Sequence, residues 1–128
     1  MGFKPYPETE RQAAILDEMY RPLPWPSQTW TYNEVYAFRK GDHASVGQEF
    51  SSNLSYDDIR HHYDKVLEKA GWRLVGEEPV YVWWHDYGGS LRKYCKGPYH
   101  AWLQFAGAEP AAHGTYSIHL GWGDNDCG

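Results

Sequence analysis

The stretch Ser55–Trp72, SYDDIRHHYDKVLEKAGW, constrains the fold more than any other part of the chain. Tyr56, Ile59, Tyr63, Val66, Leu67 and Ala70 recur at helical spacing and make one apolar stripe. Asp57, Asp58, Arg60, His61, Asp64, Lys65, Glu68 and Lys69 cover the remaining surface. Ser55 is placed to cap the first turn, because its hydroxyl accepts from a backbone N–H that has no partner inside the helix. Asp57 and Asp58 follow where the helix dipole favours negative charge. Gly71 suits the left-handed residue that closes a helix, and Trp72 can fold back over the last turn.

A helix with one stripe needs a layer to bury it, and the flanking sequence reads as strands. Thr29–Phe38 alternates with period two, Lys40-Gly41-Asp42 has turn chemistry, and Ala44–Ser52 returns. After the helix, Trp72–Gly76, Val80–Tyr87, Leu91–Lys96, Tyr99–Ala106 and Thr115–Trp122 are strand candidates. Their expected breaks are Glu77-Glu78-Pro79, Gly88-Gly89, Gly97-Pro98 and the loop 107–114. Links this short favour antiparallel neighbours. The pattern predicts an α+β fold: one main amphipathic helix on one face of an antiparallel meander of five to seven strands. Tyr116, Ile118, Leu120 and Trp122 share one parity, as do Tyr99, Ala101, Leu103 and Phe105, so these sets are expected to meet the helix.

Residues 1–28 differ in composition, with five of the eight prolines. A short helix is expected from Glu8 to Tyr20. The run Arg21-Pro22-Leu23-Pro24-Trp25-Pro26 then favours an extended arm laid over the body. Residues 29–128 form the single α+β domain of this reading. Both faces of Val80–Tyr87 carry aromatics. Either the N-terminal arm covers the second face, or part of it is an exposed platform.

Aromatic residues make up 17% of the chain, including seven Trp and eleven Tyr, more than one small core readily hides. The formal net charge of −5 disfavours a broadly basic nucleic-acid surface. The opening MGFKPYPETERQ has no apolar signal core, and no apolar run nears the ~20 residues that span a bilayer, so a cytoplasmic chain is expected. Cys95 and Cys127 have neither zinc nor redox spacing; either they pair to pin the tail to the sheet or they stay as thiols.

Seven histidines raise the question of a metal. His61 and His62 are adjacent on the helix and diverge by about 100°. His85, His100 and His119 lie on different strands, where three imidazoles would suit zinc only if the strands converged. No nucleophile motif surrounds Ser45, Ser90, Ser117 or Cys95. No catalytic residue, cofactor or metal ligand is therefore expected.

The pattern Y-x-x-I-x-x-x-Y-x-x-V-L-x-x-x-G-W over Tyr56–Trp72, the turn Tyr94-Cys95-Lys96-Gly97-Pro98-Tyr99 and the aromatic strand Tyr116–Trp122 carry a resemblance. From Ser51 to Trp122 the chain resembles a small bacterial helix-plus-sheet domain that recurs in uncharacterised proteins. By size and acidity it also resembles immunity proteins of contact-dependent growth inhibition and related toxin systems. That second likeness implies a binding protein that occludes the active site of a cognate, basic nuclease. The expected partner surface is Trp83, His85, Asp86, Tyr87, Tyr94 and Trp102 with Glu77 and Glu78 at its rim, because aromatic anchors and acids suit a phosphate-binding site. The alternative is a cell-envelope or lipoprotein-type domain binding carbohydrate or peptide on an aromatic sheet face.

Overall fold

The computed structural model describes residues 6–110, 112, 114–123 and 127. The elements in chain order are α1 (Pro7–Tyr20), β1 (Thr29–Thr31), β2 (Tyr36–Lys40), β3 (His43–Ser52), α2 (Tyr56–Lys69), β4 (Arg73–Val82), β5 (His85–Lys96), β6 (Tyr99–Phe105) and β7 (Tyr116–Trp122). The seven strands make one antiparallel sheet in the order β1-β3-β7-β6-β5-β4. Strand β2 pairs with β3 in line with β1, along the same edge.

Helix α2 forms as its spacing predicts. The Ser55 side chain accepts from the Asp58 N–H, and Ile59, Tyr63 and Leu67 are buried. Tyr56 and Val66 are half-buried at the margins of the stripe. Cross-strand partners share a face, so Phe50–Tyr116, Ile118–Leu103, Leu120–Ala101 and Ala101–Tyr94 place these residues together under the helix. Their burial makes them one core with Ile59, Tyr63 and Leu67.

A second helix shares that face. Helix α1 is also 14 residues long, starts on Pro7, and sinks Ala13, Leu16 and Tyr20 into the same core. Thr9 Oγ1 donates to the Gly41 carbonyl at 2.6 Å, Tyr20 donates to Gln48 at 2.9 Å, and Tyr99 donates to Gln12 at 2.6 Å. The sheet is therefore covered by two helices of equal length where the sequence pattern led to one main helix. The amphipathic signal of α1 is weaker, because Thr9 and Tyr20 bury polar tips whose partners, in the β2–β3 turn and in β3, are distant along the chain. The Pro-rich segment lies on this face too: Trp25 meets Phe50 at 5.5 Å between ring centroids, and the His62 ring contacts the Pro24 carbonyl at 2.8 Å. The first five residues of the expected arm lie outside the described residues.

Strand boundaries depart from expectation between 72 and 96. No break occurs at Glu77-Glu78-Pro79; β4 runs through it as an edge strand, where a missing N–H on the solvent side costs no ladder bond. Gly88-Gly89 lies inside β5 instead of at the turn. Tyr81 pairs with Asp86 and Val82 with His85, so the hairpin turns at Trp83-Trp84. The register slips between Val80 and Tyr81, where Gly88 takes φ +80°. This irregularity accommodates Tyr87 and Gly88, two residues of β5 with no partner in β4. The span Thr29–Phe38 likewise splits into β1 and β2. Asn33 between them holds Glu49 through its side-chain amide and through the Glu49 N–H.

The candidate binding site: an aromatic hairpin over a cleft

The face opposite the helices carries Ser117, His119 and Gly121 of β7, His100, Trp102 and Gln104 of β6, and Tyr36 and Phe38 of β2. One end of it carries the link between Cys95 and Cys127. Cys127 is buried and joined to Cys95 in a disulfide with Cα atoms 5.5 Å apart. Beside it stands His100, whose Nε2 lies 2.2 Å from where a side chain at Gly121 would begin. Glycine at 121 lets that imidazole lie flat on the sheet.

The other end opens into a cleft of about 380 Å³, near the small end of the range that holds ligands. Val80, Val82 and Tyr87 of the β4–β5 hairpin line it together with Gln104, Ser117, His119, Glu49 and Tyr36. Strands β5 and β3 are three places apart, about 14 Å in a flat sheet. Their side chains line one cleft only because the sheet curls. The hairpin tip continues past Ser90–Phe105, the last pair between β5 and β6. It is tied down by the Ala108 N–H, which donates to the Tyr87 carbonyl at 2.8 Å.

At the tip, Trp83 and Trp84 are 86% and 96% exposed. Both take left-handed backbone angles, φ +51° and +68°. A two-residue hairpin with positive φ at both positions has the type I′ form, which strongly prefers Asn-Gly. A bulky residue there costs roughly 1–2 kcal/mol. Tyr81 adds a third exposed ring. Large apolar side chains in strained, solvated positions stabilise nothing within the chain, which marks the tip as a site where fold stability yields to another requirement.

The structure divides the residues expected to bind. Trp83, His85 and Asp86 are exposed at the hairpin; Asp86 accepts from the Gly88 N–H, and the His85 ring lies 5.8 Å from Tyr87. Tyr87 faces the cleft. Trp102 is half-buried on the same open face, 5.3 Å from His119 and with Lys93 Nζ 5.8 Å from its ring centre. Its Nε1 is buried without a hydrogen-bond partner among the described residues.

Tyr94 does not belong with them. It is 2% exposed on the helix face, and its hydroxyl donates to Asp64 of α2 at 2.6 Å. Its pairing with Ala101, on the helix face, turns it inward. Glu77 is also committed elsewhere: it accepts from Tyr56 at 2.7 Å and from Arg92 at 2.9 Å. Arg92 makes a two-pronged contact with Asp64, at 2.8 and 2.7 Å. Burial works against both carboxylates, but hydrogen bonds from Arg92 and Tyr94 to Asp64, and from Tyr56 and Arg92 to Glu77, outweigh it and hold their pKa values below the ordinary ones. This cluster bolts α2 to the edge strand. Glu78 meets Lys93 at 3.3 Å, so the two rim acids are neutralised in place.

Residues missed by sequence reasoning include Trp84 and Tyr81 at the tip, and Tyr36, Glu49, Val80 and Val82 in the cleft. The double Trp was the available signal, and counting it within a strand hid it. His85, His100 and His119 do not converge as one set. His100 and His119 approach to 6.0 Å between centroids, while His85 stays with Tyr87 on the hairpin. Among the described residues no group of three or more His, Cys, Asp or Glu side chains is arranged to hold a metal ion. None of the described helices is long and apolar enough to cross a membrane. Comparison of the chain with protein-family models, with curated proteins and with solved structures gives no match.

Proposed function

We propose that this chain is a binding module that holds a protein or peptide partner on the Trp83–Trp84 hairpin and in the cleft beneath it. The carrying observation is the pair of tryptophans kept almost fully exposed on a strained turn. Trp and Tyr are the side chains that most often anchor interfaces, because they bury much area for little lost freedom. The cleft gives a partner side chain a place to enter. The disulfide favours an oxidising compartment, as in an envelope or secreted domain, over the cytoplasm.

The immunity reading uses the same surface and draws on one further observation. Glu49 and Glu109 line the cleft and give it an acidic wall, which suits a basic toxin. In that form the module caps a toxic enzyme, and most of the affinity comes from the aromatic tip instead of the rim charges.

The test is quantitative capture of a purified partner, identified by cross-linking to the wild-type chain in the source cell. Trp83→Ala with Trp84→Ala is expected to weaken the complex at least ~30-fold, as loss of a central aromatic anchor does. Glu68→Gln, on the exposed face of α2, is expected to leave binding unchanged. Normal binding by the tryptophan variant would remove the hairpin from the interface. Alkylation of cell-derived protein separates the compartments: two protected cysteines fit an oxidising one, and two free thiols fit the cytoplasm.

A further inference from the structure

A second cavity, of about 440 Å³, lies on the helix face and shares no residue with the cleft under the hairpin. The end of α1 gives it Arg21, the Pro-rich arm gives Leu23 and Trp25, the link from β1 to β2 gives Glu34, and β3 gives Gln48. Its walls are held in place by the chain itself. Pro22, Pro24 and Pro26 stiffen the arm, the Leu23 N–H donates to the Tyr20 carbonyl at 3.0 Å, and the His62 ring contacts the Pro24 carbonyl at 2.8 Å. Trp25 nonetheless stays 47% exposed. The residues outside the described ones at this end of the chain precede Tyr6, at the far end of α1, about 20 Å away.

The cavity carries hydrogen-bonding groups that the chain does not use up. Gln48 is 6% exposed, and a primary amide has two donors and two acceptor lone pairs. Here its oxygen accepts from Tyr20 at 2.9 Å and its Nε2 donates to the Asn33 carbonyl at 3.0 Å. One N–H and one lone pair remain, on a side chain shut away from bulk water, where a complementary ligand group gains most. Arg21 uses Nε on Asp17 at 3.1 Å, which leaves its Nη groups. Glu34 is exposed and has no ion-pair partner among the described residues. One cation, one anion, one amide and one indole therefore line a single cavity. We propose that it binds a small zwitterionic peptide with an apolar side chain. The peptide's carboxylate meets Arg21, its ammonium meets Glu34, its amide meets Gln48, and its side chain packs on Trp25 and Leu23. A guanidinium matches a carboxylate in shape as well as charge. A simple amine or a simple acid would leave one of the two charges unanswered, which selects a ligand charged at both ends. A dipeptide is the smallest peptide with both ends and an amide between them, and the cavity is in the size range of small-ligand sites.

Titration of the full chain with the dipeptide glycyl-phenylalanine to ~20 mM, followed by NMR, tests this, since a ligand so small is expected to bind with Kd near ~1 mM. The Trp25 indole and the Gln48 side-chain amide signals are expected to shift saturably, while those of Trp83 and Trp84 stay in place. The N-acetylated dipeptide and the dipeptide amide, each lacking one charge, are expected to bind at least ~10-fold more weakly. Glu34→Gln is expected to abolish the penalty for acetylation and to keep the penalty for amidation. Arg21→Gln is expected to do the reverse. Both positions are exposed, and thermal unfolding checks that the variants fold. No saturable shift at Trp25 and Gln48 overturns the proposal. So do capped peptides that bind as well as the free one, or variants that leave both penalties unchanged. Shifts confined to Trp83 and Trp84 would place the peptide on the hairpin and overturn it too. Because no partner protein is needed, the outcome is independent of whether the hairpin binds one.

Discussion

Two aromatic clusters in this molecule use the same residue types in opposite ways. Under the helices, Tyr63 and Tyr116 join hydroxyls at 2.8 Å, and Phe50 stacks on Tyr116 at 5.1 Å. Tyr94 completes the set by donating to Asp64. Each buried ring has its polar tip satisfied, and the burial raises the tyrosine pKa values well above the ordinary one. At the hairpin tip, Trp83 and Trp84 have neither cover nor relaxed backbone. What separates the clusters is a second layer. Aromatic area becomes core when a helix lies over it, and stays exposed when the hairpin carries it beyond the helices' reach.

The largest contrast is in stability. Leu67→Ala, which opens a cavity below α2, is expected to cost about 2–5 kcal/mol in denaturant unfolding. Trp84→Ala removes more atoms yet is expected to stay within about 0.5 kcal/mol. A Trp84 variant as damaging as the Leu67 variant would erase the distinction between the two clusters.

A smaller effect has the opposite sign. Replacing the tip by the preferred turn pair, Trp83→Asn with Trp84→Gly, is expected to raise stability by about 1–2 kcal/mol, because the left-handed strain disappears. The same variant is expected to lose its partner. A gain in stability with binding intact would mean that the rings do not bind. A loss of stability would mean that they support the fold.

The smallest effect sharpens the covered side alone. Asp64 and Glu77 have pKa values held below their ordinary 3.8 and 4.5, so their ionised forms stabilise the folded state. That contribution is complete above the ordinary values and is lost as pH falls through the lowered folded ones. The difference in melting temperature between wild type and Asp64→Asn is expected to shrink over that window. The effect is modest because the two side chains keep 33% and 28% exposure, so solvent screens them. A constant difference down to acid pH would show that Asp64 acts by shape and not by charge.

Reading the chain unaided located most elements, but it misplaced the β4–β5 hairpin and missed the break between β1 and β2. Helix α2, strand β3, and the faces of β6 and β7 follow from local periodicity, because each keeps one parity from end to end. The β4–β5 hairpin did not yield to the same rule. Pro79 and Gly88-Gly89 are ordinary turn signals, yet here they mark an edge strand and a bulge. The true turn uses two tryptophans that no local preference selects. That shift hid Trp84, while the pairing of Tyr94 with Ala101 puts Tyr94 in the core.

Sequence alone determined the period, the caps, the charge balance and the excess of aromatic area, because these are properties of neighbours along the chain. Tertiary structure alone decided which aromatics are covered, which acids are already paired, and that Cys127 meets Cys95 across 32 positions. The reason is physical. Burial and pairing depend on which strands lie side by side, and that order is set by the packing of two helices on one face of a curled sheet.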